Sequence, residues 1–490
     1  MRVSGLGSDG FRGVIGDSFS WSVVAHLIAA TLSYLDEQAT PAGAPIPVGF
    51  DTRFLARHFA CLVYLGLLQG KMKPTLSRSN IPSPYLSYAV RKLGAPLGIM
   101  VTASHNPAAY LGFKPKGPEG GSALPEVQMR IAELAASVRP IDMDPYVVFG
   151  PTLEFQHFNF EADYARALAS LLATKELAQD RQLAVDFMHG SAFPLYGHVL
   201  EELGVSFIPV RIEQDPLFAG GNPEPVAGNL EELRSQVIAG ATRSIGAAFD
   251  GDGDRLRLVD ESGEVVPNED IFAICLLHLI EDRNQRGRIV KTVSFSELID
   301  RLATAFNLPV VETPVGFKHA TRELMVPDTL AAGEESGGIG FGFYLPERDA
   351  LLALLLVLEA MRMRGKQLVE LRLELAERFG RSYFAHQDVP LSGRTDTRQV
   401  LRQMEELAAS PAKVGLPDAV PDRMDGLKLR HREGFLLVRL SGTEPVLRIY
   451  CDDTTEGREW ELVRRAVSYF SKQGSSRIAE DLDEEEAISS

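Results

Sequence analysis

The stretch "PVGFDTRFLARHFACLVYLGLLQGKMKPTLSRSNIPSPYLSYAVRKLGAPLGIMVTASHNP", residues 47–107, decides the fold class. Short apolar runs at "PVGFD", "KPTLS" and "PLGIMV" alternate with longer helical patterns at "RHFACLVYLGLLQG" and "PYLSYAVRKLG". This alternation is typical of parallel strands joined by crossover helices. We therefore predict an α/β unit in this part of the chain.

The same alternation of strand and helix patterns occurs twice more, at "RQLAVDFMHG" with "IGAAFDGDGDR" and at "GRIVKTVSFSELIDRLATAF", without a fixed-period repeat. After about residue 379, "YFAHQDVP" and "GLKLRHREGFLLVRLSGTEPVLRIYCDD" indicate an antiparallel sheet in a smaller α+β unit. We predict α/β domains at 1–152, 153–262 and 263–375 and an α+β domain at 376–473. The acidic end, 474–490, is predicted to be a mobile tail.

Composition restricts the class of protein. The chain has 490 residues, 45% of them hydrophobic, and a net charge of −16, which disfavours nucleic acid as a partner because binding to its phosphates needs a basic face. The most apolar run, "LLALLLVL" at 351–358, is too short for a membrane span and predicts a buried helix. Without a secretory signal pattern, and with only Cys61, Cys275 and Cys451, we expect a cytoplasmic protein with buried thiols.

"VTASHNPAAYLGFK", from Val101 to Lys114, places a hydroxyl beside a histidine directly after an apolar run. Ser104 and His105 suggest a nucleophile and its base, as in a serine hydrolase. A hydrolase also needs a separately placed acid that orients the base. The remaining motifs supply different chemistry.

"AAFDGDGDRLRLV" alternates Asp250, Asp252 and Asp254 with glycines immediately after an apolar strand. Three carboxylates crowd together at low cost only around a cation, and oxygen ligands favour Mg²⁺ or Ca²⁺. The alternatives are a polar turn and a calcium EF-hand, whose twelfth position would be Glu261. Arg255 stands where an EF-hand needs glycine, and the flanking patterns are α/β, so a metal loop of another kind is favoured.

Two further loops carry ligand-binding side chains. "VRLSGTEPVLRIY", Val438–Tyr450, has hydroxyls and a glycine between two strand patterns and an arginine on each strand, which predicts a phosphate cradle, with a plain hairpin as the alternative. "GEESGGIGFG", Gly333–Gly342, offers Glu334 and Ser336, which suit sugar hydroxyls. Lys318 and Arg12, read in isolation, would be solvated charges.

In order, "GSDGFRG", "TASHNP", "DGDGDR", "GEESGG" and "RLSGTEP" resemble the signature loops of the α-D-phosphohexomutase family, which includes phosphoglucomutases and phosphomannomutases. The loops run from Gly7 to Pro445, nearly the whole chain. The resemblance implies a four-domain architecture, three similar α/β mixed-sheet domains and a smaller C-terminal α+β domain, with one loop from each meeting in a central active-site cleft.

The resemblance also implies roles for individual residues. Ser104 would carry the phosphoryl group and would bind Mg²⁺ together with Asp250, Asp252 and Asp254. The catalytic group would comprise Ser104, His105, Lys114 and Arg12. His105 or Lys114 would either move the proton or hold the serine loop in place. The substrate-binding group would comprise Arg255, Lys318, Glu334, Ser336, Arg439, Ser441, Gly442, Thr443 and Arg448.

The implied activity is the interconversion of hexose 1-phosphate and hexose 6-phosphate, dependent on Mg²⁺, with a hexose 1,6-bisphosphate as intermediate and activator. Gly338 stands where many mannose- and glucosamine-type members have histidine, which favours glucose, with mannose or glucosamine as alternatives. A sugar-phosphate phosphatase and a non-catalytic binder are the other classes considered. We expect a small sugar phosphate as partner, no membrane, and a monomer or homodimer.

Overall fold

The computed structural model describes residues 6–7, 10–144, 148, 154–174, 177, 182–240, 243–391, 394–441 and 446–471. The chain divides into two compact units. Unit 1 comprises 1–287 with 316–371, and unit 2 comprises 288–315 with 372–490. This division differs from a four-domain one, so the boundaries at 152, 262 and 375 stay a prediction.

The described helices are α1 Trp21–Glu37, α2 Ala56–Gln69, α3 Ser83–Leu93, α4 Pro125–Ser137, α5 Glu161–Leu171, α6 Leu195–Glu202, α7 Glu231–Ala239, α8 Asn268–Leu277, α9 Leu298–Ala305, α10 Phe317–Leu324, α11 Ala350–Arg364, α12 Leu368–Phe379, α13 Arg394–Ala409 and α14 Arg458–Ser471. The described strands are β1 Leu6–Gly7, β2 Gly10–Val14, β3 Pro45–Phe50, β4 Lys73–Leu76, β5 Gly98–Val101, β6 Tyr110–Lys116, β7 Gln182–Asp186, β8 Phe207–Val210, β9 Ser244–Phe249, β10 Leu256–Val259, β11 Val265–Val266, β12 Arg288–Thr292, β13 Val310–Thr313, β14 Thr329–Gly333, β15 Ile339–Phe341, β16 Tyr383–Pro390, β17 Val420–Asp422, β18 Leu427–His431, β19 Gly434–Leu440 and β20 Val446–Asp453.

Unit 1 contains a six-stranded sheet in the order β1-β2-β6-β5-β3-β4. β3 runs parallel to β4 and β5, as the alternation of strands and helices predicts, while β6, β2 and β1 add antiparallel pairs. β5 is buried throughout, because helices and neighbouring strands cover a parallel strand on both faces. The carboxyl ends of β3 and β5 therefore meet at one edge, where polar side chains can converge.

A second sheet of unit 1 has the order β11-β10-β9-β7-β8. β7 is parallel to β8 and β9, and β10 returns antiparallel to β9. The turn between β9 and β10 is the acidic loop. Because β9 is buried along its whole length, the loop begins at a fixed point at the carboxyl end of a parallel strand.

The rest of unit 1 includes the antiparallel pair β14–β15 and the helix α11. α11 is buried on every side up to Met361, which confirms the prediction for residues 351–358. Asp349 caps its first turn by accepting a hydrogen bond from Leu352 N (2.9 Å), and Gly365, with φ 63°, ends it. β14 leads directly into the "GEESGG" loop.

Unit 2 contains the parallel pair β12–β13 and a five-stranded antiparallel sheet in the order β16-β20-β19-β18-β17. The antiparallel sheet predicted after residue 379 is thereby confirmed. Its core is apolar and includes residues of β18, β19 and β20 packed with α14, among them Leu429, Leu436, Ile449 and Val463. Across the described residues, no helix has both the length and the apolarity needed to cross a membrane.

Candidate active site

The serine loop, residues 102–110, follows β5 in unit 1 and ends at the first residue of β6. Ser104 is almost fully buried and has φ 54°, a left-handed conformation that side chains other than glycine rarely adopt. Its Oγ donates a hydrogen bond to Asp250 Oδ2 (2.7 Å) and lies 3.4 Å from His105 Nδ1. The loop therefore directs the hydroxyl at the acidic loop.

The acidic loop, residues 250–255, follows β9. Asp250 Oδ1 accepts hydrogen bonds from the backbone N–H of Asp254 (2.9 Å) and of Arg255 (3.2 Å), which folds the loop back on itself. Gly253 has φ 69°, and a Cβ there would lie 2.9 Å from Pro82 Cβ. One carboxylate oxygen from each of Asp250, Asp252 and Asp254 lies within 4.8 Å of the others.

These three carboxyl groups fit a hard divalent cation. All three are buried, and among the described residues nothing donates a hydrogen bond to Asp252 Oδ1 or Asp254 Oδ1. Burial, followed by the charges of Asp254 and Asp252, raises the pKa of Asp250 well above its usual range. A cation placed among oxygens of this kind would satisfy the two free oxygens and offset the repulsion.

Lys114, on β6, supplies positive charge from the serine side. Its Nζ contacts Asp252 Oδ2 (2.9 Å) and Asp254 Oδ2 (3.4 Å). Burial alone would raise the pKa of Asp252, but the Lys114 ammonium and a hydrogen bond from Ser83 Oγ (2.7 Å) outweigh it and hold that pKa below its usual range. The Asp252 carboxylate is therefore ionised at neutral pH.

His105, also on the serine loop, is surrounded by positive side chains. Burial, and then the positive charges of Arg255 and Arg12, lower the pKa of His105 well below its usual value. The imidazole is neutral at pH 7 and is able to accept a proton. Arg12, on β2, donates from Nη1 to Asn106 Oδ1 and so lies on the serine loop.

The sugar-binding loop predicted at 333–338 lies next to the acidic loop. Leu256 N donates to Gly337 O (3.2 Å), and Arg255 pairs with Gly338 in an isolated antiparallel bridge. Ser336 Oγ donates to Glu334 Oε1 (2.7 Å), so the two predicted sugar ligands contact each other. Burial raises the pKa of Glu334.

The remaining predicted substrate-binding residues of unit 1 are Arg255 and Lys318. Arg255 Nη1 lies 3.5 Å from Glu224 Oε1, and its own pKa is raised because neighbouring carboxylates, Asp250 first, outweigh the effect of burial. Lys318 is half-buried in the first turn of α10. Unit 1 thus brings together the serine, acidic and sugar loops.

The predicted phosphate cradle lies in unit 2, at the turn between β19 and β20. Arg439 and Arg448 are directly opposite each other across the two strands, and Ser441 N donates to Val446 O (2.9 Å). Arg439 Nε donates to Asp425 Oδ2 (2.7 Å), and Arg448 Nε lies 3.8 Å from Asp388 Oδ1. Gly442 and Thr443 lie outside the described residues.

Four family models match the chain in succession. They are the phosphoglucomutase/phosphomannomutase α/β/α domain I at residues 4–141, domain II at 162–263, domain III at 267–379 and the C-terminal domain at 394–467. The chain belongs to the phosphoglucomutase/phosphomannomutase family. The predicted four-domain class and the resemblance drawn from the five loops are confirmed.

Named relatives of this family cover nearly the whole chain. A phosphoglucomutase/phosphomannomutase of Thermococcus kodakarensis is 26% identical over 471 residues, 95% of this chain and 98% of its own length. A phosphoglucosamine mutase of Geobacillus thermodenitrificans is 28% identical over 475 residues, 96% and 98% of the two chains. The solved structure of a Thermus thermophilus protein, described provisionally as a phosphomannomutase, is 31% identical with a TM-score of 0.80, covering 94% and 98%.

Membership of the phosphoglucomutase/phosphomannomutase family makes this chain an isomerase that transfers a phosphoryl group within a sugar phosphate. The structure also places Arg348, which none of the sequence motifs indicates, in this site. Arg348 is buried, and its guanidinium contacts Asp254 Oδ2 (2.6 Å) and Glu334 Oε1 (3.1 Å), so one side chain joins the acidic loop to the sugar loop. The only local signal was a charged "ERD" triplet just before the most apolar helix.

Proposed function

We propose that this enzyme interconverts glucose 1-phosphate and glucose 6-phosphate through a phosphorylated Ser104 and a glucose 1,6-bisphosphate intermediate. Mannose and glucosamine phosphates are the alternative substrates. The observation that supports the proposal best is the Ser104 Oγ, buried and within 2.7 Å of a carboxylate whose two neighbours keep free, buried oxygens. A hydroxyl in this position has the surroundings that phosphoryl transfer needs.

Asp250, Asp252 and Asp254 would hold Mg²⁺ together with an oxygen on Ser104. When bound, Mg²⁺ neutralises negative charge on the phosphoryl group during transfer. Lys114 Nζ, at 2.9 Å from Asp252, keeps that carboxylate ionised and adds positive charge beside the serine. Phosphoryl transfer depends mainly on such positioning and charge compensation.

The transfer itself breaks the P–O bond to Ser104 Oγ and forms a P–O bond to the sugar hydroxyl. The hydroxyl proton must leave as that bond forms. His105 is the acceptor that we propose, because its Nδ1 lies 3.4 Å from Ser104 Oγ, whereas the Lys114 Nζ is ion-paired with Asp252 and Asp254. In the second half of the cycle the other phosphate of the bisphosphate returns to Ser104.

Arg439, Ser441, Gly442, Thr443 and Arg448 would hold the phosphate that is not reacting. Like charges directly opposite on a sheet destabilise it, and Arg439 faces Arg448 across β19 and β20. A phosphate between two such guanidinium groups would accept hydrogen bonds from them and add to the charge compensation that Asp425 and Asp388 provide. A site of this kind lets the bisphosphate turn around without loss, which a phosphatase does not need.

Glu334 and Ser336 would bind sugar hydroxyls, with Arg12, Arg255 and Lys318 around the reacting phosphate. Gly338 favours glucose. The proposal also includes a central active-site cleft, a cytoplasmic location and a monomeric or homodimeric enzyme. Its four domains would be residues 1–152, 153–262, 263–375 and 376–473.

The test is incubation with Mg²⁺, glucose 1-phosphate and a trace of glucose 1,6-bisphosphate, followed by measurement of glucose 6-phosphate and of free phosphate. Isomer formation without phosphate release supports a mutase, and phosphate release alone identifies a phosphatase. Ser104→Ala should lose nearly all turnover while staying folded, and mass spectrometry should find phosphate on the wild-type peptide that contains Ser104. Failure to convert the glucose, mannose and glucosamine 1-phosphates would reject the proposal.

A further inference from the structure

We propose that Arg53, held by Asp51, is a positioning residue that sets the backbone of the serine loop, residues 102–110, and thereby the direction of the Ser104 hydroxyl. The inference rests on the proposed role of Ser104 as phosphate carrier. Arg53 and Asp51 act on the peptide groups that carry the Ser104 side chain and not on the hydroxyl itself.

Arg53 follows β3 and is 3% exposed. Its guanidinium donates hydrogen bonds to four carbonyl oxygens of the serine loop, those of Ser104, Asn106, Pro107 (2.7 Å) and Tyr110 (3.1 Å). The Phe218 ring covers its outer side, with Arg53 Cζ 4.9 Å from the ring centroid. One side chain therefore gathers carbonyl groups from along most of the loop.

Asp51 holds the Arg53 guanidinium in place and also contacts the serine loop through Thr102. Its carboxylate accepts from Arg53 N (3.0 Å) and Arg53 Nε (3.1 Å). Thr102 Oγ1 donates to Asp51 Oδ2 and accepts from Ser104 N (2.9 Å). β3 and β5 are parallel with Phe50 opposite Val101, so Asp51 and Thr102 emerge side by side. The Ser104 peptide is thus held on its carbonyl side by Arg53 and on its amide side by Thr102.

The backbone conformation of Ser104 makes such support necessary. A φ of 54° is unfavourable for a residue with a side chain, and it persists only where the surroundings enforce it. The carbonyls that Arg53 binds converge on one buried point, where unsatisfied acceptors would be costly. If these bonds are lost, we expect Ser104 to relax and its Oγ to move away from Asp250.

Only arginine meets this requirement. A guanidinium has five N–H donors in a fixed plane, and Arg53 uses them for the four carbonyls and for Asp51. A lysine would keep the charge with three donors and could not serve the same set. Arg53→Lys therefore separates hydrogen-bond geometry from charge.

The experiment compares Arg53→Lys and Arg53→Ala with Arg301→Ala. Arg301, in unit 2, also donates to two main-chain carbonyls, those of Phe379 (2.8 Å) and Arg381 (3.2 Å), and it is the matched control for loss of such bonds away from the site. For Arg53→Lys we expect kcat to fall roughly 100-fold, the loss typical of a small misplacement of a reacting group. KM should change little because the sugar and phosphate ligands are intact. Millimolar guanidinium should restore part of the activity of Arg53→Ala.

Hydrogen exchange provides a readout that does not depend on catalysis. Amides of residues 103–110 should exchange faster in both Arg53 variants, while those of the acidic loop, 250–255, and the activity of Arg301→Ala stay as in wild type. Unchanged exchange at 103–110, or a KM rise without a fall in kcat, overturns the proposal. An inactive wild type without phosphate on Ser104 would instead reject the proposed function and leave the exchange result to decide the role of Arg53.

Discussion

Replacement of Gly338 by alanine tests the contact that joins the acidic and sugar loops. A Cβ at position 338 would lie 2.3 Å from Arg348 Cδ, 3.0 Å from Arg348 Cγ and 2.6 Å from Glu334 Oε1. Arg348 Cδ lies in the middle of a side chain whose guanidinium contacts Asp254 (2.6 Å) and Glu334 (3.1 Å). The arginine cannot move aside without giving up one of these partners.

These short distances set the expected free-energy cost of Gly338→Ala. Insertion of one methyl group into a packed interior costs about 1–3 kcal/mol, and a lost contact from Arg348 leaves a buried carboxylate less well compensated. If the substitution displaces the acidic and sugar loops, the transition state is bound less tightly by about 1.4–2.7 kcal/mol. A loss of this size lowers kcat/KM roughly 10-fold to 100-fold. We therefore expect a loss of activity that exceeds any loss of thermal stability.

The assay measures kcat/KM for glucose 1-phosphate together with Tm. Gly228→Ala is the matched control, because a Cβ at Gly228 has no neighbour within 4 Å and its φ is ordinary. In an Arg348→Ala background the contact at 2.3 Å is gone and Glu334 is released from Arg348, so its carboxylate can move away from the new methyl group. Gly338→Ala should therefore add less further loss there than in wild type. Full activity in Gly338→Ala, or an equal additional loss in both backgrounds, would refute the role given to Arg348.

Four other predictions concern separate parts of the molecule. Chelation of divalent cations should abolish turnover and added Mg²⁺ should restore it, while Asp252→Asn should lose Mg²⁺ binding measured by calorimetry. Arg439→Met should raise KM for glucose 1-phosphate roughly 10-fold to 100-fold with a smaller change in kcat, because a hydrogen-bonded charge that binds ground state and transition state alike is removed. Burial raises the pKa of Asp349 to about 6, compared with about 3.9 in an unfolded chain. The protonated carboxyl group therefore stabilises the fold fully below about pH 4, and this stabilisation is lost as the pH rises to about 6. The unfolding free energy of wild type minus that of Asp349→Asn should fall across this interval. Burial raises the pKa of Cys61 to about 11 and of Cys275 to about 12, so neither thiol should react with a thiol reagent in the native protein, as absorbance would report.

The parts of the fold that could be predicted are those whose signal is local. The apolar run 351–358 and the strand at 98–101 are buried throughout, and their letters are sufficient to indicate it. The antiparallel strands β6 and β10 were harder to predict as partners, because their pairing depends on the turns that precede them. The inclusion of residues 288–315 in unit 2 has no local signal either, because it depends on packing between residues far apart in the chain.

In the candidate site, too, residues with a local sequence signal could be predicted and residues that depend on distant partners could not. The three aspartates stand in a short motif whose alternation with glycine indicates a metal site, whereas the role expected for Ser104 comes from the resemblance of its loop to that of the family. Arg53 and Arg348 act through partners 51 and 94 positions away, Ser104 and Asp254 respectively, so no window of sequence contains both members of a pair. For Arg53 a signal did exist: "DTR" follows a parallel strand adjacent to β5, and the carboxyl ends of such strands lie together.

The charges around Ser104 also bear on why the proposed metal and the proposed phosphate would occupy this site together. Asp252 is paired with Lys114 (2.9 Å) and Asp254 with Arg348 (2.6 Å), and Arg255 is the cation that acts on Asp250. Arg348 also contacts the buried Glu334 (3.1 Å), so the positive side chains here are shared among more than these three carboxylates. A buried divalent cation and a buried phosphate, with a charge of about −1.5 to −2, are each costly alone, and each offsets the charge of the other when they are adjacent. We therefore expect this arrangement to favour Mg²⁺ and phosphoserine together over either alone, which is the state that a phosphoryl donor requires.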